Sequence, residues 1–140
     1  MLKELFILCI LATSSIASAA DFNTYIVTRV IDGDTVEIRA PFLPLPLKPV
    51  LSVRLLGIDT PEKAPLAKCE KELELSKEAT AYARETIAAA HEVKIQLIKW
   101  DKYGGRVLGY IFIDGKSLAD LQIAKGHARP YDGGTKQGWC

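Results

Sequence analysis

Residues 24–40, TYIVTRVIDGDTVEIRA, decide the fold. Thr24 to Ile31 is rich in β-branched residues, which suit a pleated, half-buried surface. Asp32-Gly33 supplies turn chemistry. From Thr35 to Ala40 apolar and polar residues alternate, the period of a strand with one buried face. The stretch predicts a β-hairpin. Downstream, Leu51 to Ile58 predicts a third strand, apolar on both faces except at Arg54. Val93, Ile95 and Leu97 alternate with Lys94 and Gln96 to give a fourth, and Val107 to Ile113 gives a fifth.

Two amphipathic segments interrupt the strands. From Cys69 to Ala90 the residues Leu73, Ser76, Ala79, Ala83, Ile87 and Ala90 recur at helical spacing. Ser117-Leu118-Ala119-Asp120 resembles a capping box that opens a short helix, which Gly126 can end. A short extended piece, His127 to Tyr131, leads into a Gly-rich tail, and Asp114-Gly115 marks another tight turn. Between residues 41 and 49 (PFLPLPLKP) stand four of the chain's 7 prolines. Proline removes a donor and fixes φ, so this is an ordered loop or edge, with Phe42, Leu43, Leu45 and Leu47 expected to pack. Three strands, a helix, two strands and a helix predict an α+β domain: a five-stranded Greek-key β-barrel of the OB type carrying two packed helices.

The balance of the chain fits one such domain. It has 140 residues, 49% hydrophobic and 25% charged, with a formal net charge of +1. A disordered chain would be poorer in apolar residues, and a polycation that holds DNA by bulk charge is excluded. Residues 1–20, MLKELFILCILATSSIASAA, combine an early Lys3, an apolar run and a small-residue end at Ala17-Ser18-Ala19. That is the pattern of a secretory signal peptide over residues 1–19, cleaved after Ala19 or Ala20, with the mature domain over 20–140. The run is too short to span a bilayer. Export leaves Cys69 and Cys140, a pair expected to form a disulfide in an oxidising compartment, whether periplasmic or extracellular.

Three segments carry chemistry unusual for their settings: Asp32-Gly33-Asp34-Thr35; Arg54 followed by Asp59-Thr60-Pro61-Glu62; and Asp101-Lys102-Tyr103-Gly104-Gly105-Arg106. Singly, each has an ordinary structural explanation. Asp-Gly is a hairpin turn, Asp59 caps a turn before Pro61, Arg54 needs a partner of either kind, and Lys102 and Arg106 suit a solvated loop tip. Together they are the parts of phosphodiester hydrolysis. Clustered aspartates repel one another without a cation, and oxygen-only donors select hard ions. Paired arginines match a phosphate's geometry, and a spare glutamate can take a proton from water.

The ordered motifs VIDGDTVEI (30–38), VRLLGIDTPE (53–62) and DKYGGRVLGYIF (101–112) resemble the staphylococcal-nuclease-like (thermonuclease) family over roughly Tyr25 to Tyr131. The resemblance implies an OB-fold nuclease that cleaves DNA and RNA with one Ca²⁺ ion. It implies that Asp34, Asp59 and the Thr60 carbonyl hold the metal, with Asp32 as an outer-sphere neighbour. It implies catalytic roles for Arg54 and Arg106 on the phosphate and for Glu62 on the attacking water, with Lys102, Tyr103 and Tyr131 contacting the bound nucleotide. The mature protein is expected to act as a monomer without membrane attachment. Two glycines precede Arg106 where the family's best-known member has one, and a Cys69–Cys140 bridge is expected to tie down the tail. The competing reading is a non-catalytic OB-fold module that binds nucleic acid.

Overall fold

A computed structural model describes residues 23–140; the expected leader lies outside the described residues. Among the described residues there are five long strands: β1 (Val27–Asp32), β2 (Thr35–Arg39), β3 (Val50–Leu55), β5 (Val93–Trp100) and β6 (Arg106–Ile113). Three two-residue strands join them: β4 (Ile58–Asp59), β7 (Lys116–Ser117) and β8 (Arg129–Pro130). Two helices complete the set, α1 (Glu70–Ala88) and α2 (Leu118–Ala124). The main sheet runs β1-β2-β3-β6-β5 with β7 beside β6, and β4 pairs with β8 in a second small sheet. β3 and β6 are parallel and the other pairs antiparallel, so the domain is α+β with a mixed sheet.

Among the described residues the expected five-stranded barrel does not close. The two ends of the sheet meet through one bridge, Asn23 with Ile95, whose two backbone bonds are 3.1 and 2.9 Å. Irregularities in β1 at Val27/Arg29 and Val30/Asp32 break its register, and such bulges bend a strand away from a straight ladder. The expected third strand is likewise two. Gly57, at φ +82° beyond the reach of ordinary side chains, turns the chain between β3 and β4. This turn re-aims Asp59 out of the main sheet and into the pair with β8.

α2 begins at the cap the sequence places, and α1 begins at the expected position behind a cap that the sequence reading did not name. The Cys69 sulfur accepts from the Glu72 N–H at 3.4 Å, and Ser117 Oγ accepts from the Asp120 N–H at 3.4 Å. α1 buries Glu72, Ser76, Ala79 and Ala83, whereas Leu73 is only half-buried. The core joins Val36, Ile38, Val53, Ile95, Ile111 and Leu118, all nearly inaccessible. The proline-rich loop packs less than expected. Leu43 alone of its large residues lies against the core, while Leu45 is 94% exposed and Phe42 and Leu47 are more than half exposed.

One buried amide joins the layers. Gln122 of α2 is fully buried, and its Nε2 donates to the Gly33 carbonyl and the Ala79 carbonyl, both at 2.9 Å. Its Oε1 lies 2.9 Å from His127 Nδ1. Gly33 itself is needed for space: a Cβ there would stand 2.6 Å from the Ala79 Cβ. Its φ is not in the left-handed region, so the close approach of α1 is what excludes a side chain. Replacing Gln122 by Leu would remove the side-chain donor from the Gly33 and Ala79 carbonyls, the latter keeping its bond within α1, and the partner of an imidazole nitrogen. Each buried group left without a partner costs about 1–3 kcal/mol. The Gln122→Leu variant is therefore expected to lose a measurable part of its stability in urea unfolding, with the slope of the transition unchanged.

Candidate active site

The β1–β2 turn supplies the first group of carboxylates. The Asp34 N–H bonds to Asp32 Oδ1 at 3.2 Å, and the Asp34 carbonyl takes the Leu55 N–H at 2.8 Å. The turn is therefore tied to the end of β3. Asp34 is buried; its Oδ1 accepts from Thr35 Oγ1 at 2.8 Å and its Oδ2 lies 3.5 Å from Arg54 Nε. Arg54, the one charge in an apolar strand, thus has its partner in the β1–β2 turn, one residue before the Thr35 that faces Arg54 across the ladder. Asp32 behaves differently. Burial pushes its carboxyl up to about 7, a hydrogen bond and charge from Asp34 push the same way, and the Asp34 N–H and Lys63 only partly offset them.

The second group surrounds Asp59. Asp59 and Thr60 are buried, and Glu62 is partly exposed. Both Asp59 oxygens are held by the tail. Lys136 Nζ stands 3.1 Å from Oδ1, and Trp139 Nε1 donates to Oδ2 at 3.2 Å. Lys136 also lies 3.9 Å from Glu62 Oε1. The tail is fixed at its end by a Cys69–Cys140 disulfide, the pairing expected from the sequence. Arg129 stacks on the Trp139 ring at 3.8 Å and donates to the Gly138 carbonyl at 2.9 Å.

The third group is the loop before β6. Arg106 Nε and Nη2 both reach Asp101 Oδ2 at 2.6 Å. Burial acts to raise the Asp101 carboxyl, but Arg106, the Lys102 N–H and Arg54 outweigh it and hold that group below the usual range. Lys102 and Arg106 both lie over the Tyr103 ring, at 5.3 and 5.2 Å. A groove of about 600 Å³ brings Arg54, Lys102, Tyr103 and Tyr131 together, with Lys136 at one side. Arg106 is turned onto Asp101 instead. Gly105, at φ +78°, shapes the loop that leads to it.

Residues 52–137 match the family described as staphylococcal nuclease homologue. The chain belongs to this family. Its relatives include Endonuclease YhcR of Bacillus subtilis (strain 168), 30% identical over 112 residues. Another is the uncharacterized lipoprotein MG186 of Mycoplasma genitalium, 35% identical over 111 residues. The alignments cover 76% and 73% of this chain, but only 9% of the endonuclease and 42% of the lipoprotein. The match runs from within β3 to Gln137, so it includes Arg54, Asp59, Thr60, Glu62, Arg106 and Lys136, while the turn carrying Asp32 and Asp34 precedes it and Trp139 and Cys140 follow it.

Sequence reasoning named Asp101 in the third segment without giving it a role, and missed Arg129, Lys136 and Trp139. One signal was available for the last. Trp139 adjoins a cysteine whose expected partner opens α1, soon after the DTPE segment, so the bridge carries an aromatic ring toward those carboxylates. Among the described residues no three His, Cys, Asp or Glu side chains gather as a metal cluster; the expected set has two carboxylates and a main-chain carbonyl. The raised Asp32 makes a pH prediction for metal-free protein in chelator. Its folded-state value of about 7 lies above the ordinary 3.8, so the folded chain holds this proton more tightly than the unfolded one. The contribution is complete below pH 3.8 and is lost as pH rises through about 7. Asp32→Asn is expected to flatten that fall in urea-unfolding free energy measured from pH 4 to 8.

Proposed function

We propose that this chain is an exported nuclease that hydrolyses phosphodiester bonds of DNA and RNA with one Ca²⁺ ion, acting as a monomer. The observation that carries the reading is the groove in which Arg54, Lys102, Tyr103 and Tyr131 stand together, beside the tail lysine that bonds Asp59. A cationic and aromatic lining suits a phosphate and a base. Family membership and the endonuclease relative support the same reaction class. Export is supported by the leader-like residues 1–19 and by the disulfide.

The residues fit a hard cation. Every donor assigned to it is an oxygen, and an ammonium, that of Lys136, already rests on Asp59 Oδ1 as a stand-in charge. Asp34, Asp59 and the Thr60 carbonyl would hold the ion, with Asp32 behind Asp34. When bound, it would supply positive charge to a phosphoryl oxygen. Glu62, partly open to solvent, takes a proton from water as the water oxygen bonds to phosphorus. The bond from phosphorus to the leaving sugar oxygen breaks, and that oxygen takes a proton from solvent. Arg54 meets the phosphate's charge from the floor of the groove. Arg106 joins it by exchanging Asp101 for a phosphate oxygen, the same forked recognition of a different anion.

Purified protein is to be incubated with DNA and with RNA in Ca²⁺, Mg²⁺ or chelator. Cleavage in Ca²⁺ and none in chelator is expected. Retention of nucleic acid without cleavage would favour the non-catalytic binding module. Asp34→Ala and Asp59→Ala are expected to weaken Ca²⁺ binding and remove most activity. Glu62→Gln is expected to lower kcat by about 10²–10⁴ with Ca²⁺ affinity little changed. Arg106→Lys with near-normal turnover would show that this side chain stays with Asp101 throughout.

A further inference from the structure

Asp59 is held by two tail residues of different kinds. Lys136 is 40% exposed on a flexible stem, and besides Asp59 it lies near Glu62 and 5.3 Å over the Tyr131 ring. It is a movable charge. Trp139 is fixed. Its half-buried ring stacks against Arg129, Arg129 also holds the carbonyls of Gln137 and Gly138, and the next residue is bonded to Cys69. An indole N–H only donates and does not titrate in the working range. Bonded to one carboxylate oxygen, it fixes the rotation of the group and leaves the other oxygen for a cation.

We infer that Trp139 is a positioning residue for the cation-binding carboxylate of Asp59: its N–H holds Oδ2, so that Oδ1 is presented to a divalent ion. Arg129 and the Cys69–Cys140 bond keep the indole in place. The inference rests on the assignment of Asp59 as a metal ligand made above. Outer partners of this kind commonly change metal affinity by about 10- to 100-fold, because they orient the ligand before the ion arrives. The Oδ1 position carries the Lys136 ammonium, the partner free to leave, and the fixed Trp139 bond persists when it does. A tryptophan that merely packed the tail would affect unfolding and leave cation affinity alone.

Calcium-binding isotherms on the full chain without nucleic acid compare the unaltered protein with Trp139→Phe and Asp59→Asn. Phenylalanine keeps a ring beneath Arg129 and removes only the N–H. Trp139→Phe is expected to weaken Ca²⁺ binding by about 10-fold, with the melting temperature of the calcium-free protein preserved, while Asp59→Asn abolishes binding. A second measurement needs no folded variant: the indole N–H resonance of Trp139 in the unaltered protein is expected to shift on Ca²⁺ titration. A Trp139→Phe affinity equal to that of the unaltered protein, or an indole resonance indifferent to Ca²⁺, overturns the positioning role, and loss of binding in Asp59→Asn then leaves the metal assignment standing. Ca²⁺ binding by Asp59→Asn equal to that of the unaltered protein overturns the metal assignment and this inference with it.

Discussion

The buried side-chain amide of Gln122 joins parts of the chain that share no strand ladder. It reaches the β1–β2 turn at Gly33 and α1 at Ala79, while its oxygen meets His127 just before β8. A buried amide must find partners for its donors and its acceptor, and these three elements satisfy them from different directions. The same contact sets the position of the turn whose next residue is Asp34. Any displacement of α2 would therefore be felt at a buried carboxylate of the candidate site, through one side chain. The absent Cβ of Gly33 lets α1 approach closely enough for this to happen.

The tail closes the opposite side by other means. Its backbone makes few ladder bonds, apart from the Tyr131 N–H on the Gly57 carbonyl at 2.8 Å. Its order comes from side chains and one covalent bond: Arg129 on two carbonyls and an indole, Tyr131 Oη on the Gly134 carbonyl, and Cys140 on Cys69. These contacts bring Lys136 and Trp139 to Asp59. A rigid sheet thus supplies one set of charged groups and a laced tail supplies another, and they meet at the DTPE segment.

What was legible in the sequence follows from periodicity and local chemistry. The alternation of Thr35–Ala40 and Val93–Leu97, the Ser117 cap and the Asp114-Gly115 turn all rest on neighbours in the chain, and each is present. The missed features depend on distant partners. Gly57 splits an apolar run that reads as one strand, because hydrophobicity does not record φ. The role of Gly33 is invisible until Ala79 is placed beside it. Leu45 and Phe42 look fit to pack, yet the folded loop leaves both exposed. In the site, the three motifs announced residue types but not their present partners, so Arg106 with Asp101, and Lys136 and Trp139 with Asp59, had to be read from the fold.

β3 and β6 lie side by side in parallel, with Ser52 opposite Arg106 and Arg54 opposite Leu108. Parallel neighbours cannot be joined by a tight turn, and here β4, α1 and β5 all intervene. The loop entropy of that long excursion must be met before the pairing gives anything back, which makes such contacts late and slow to form. The hairpins on either side close over short loops, whereas the strands bearing the two arginines pair only across this long one. A chain in which this pairing is unmade therefore carries Arg54 and Arg106 without their arrangement.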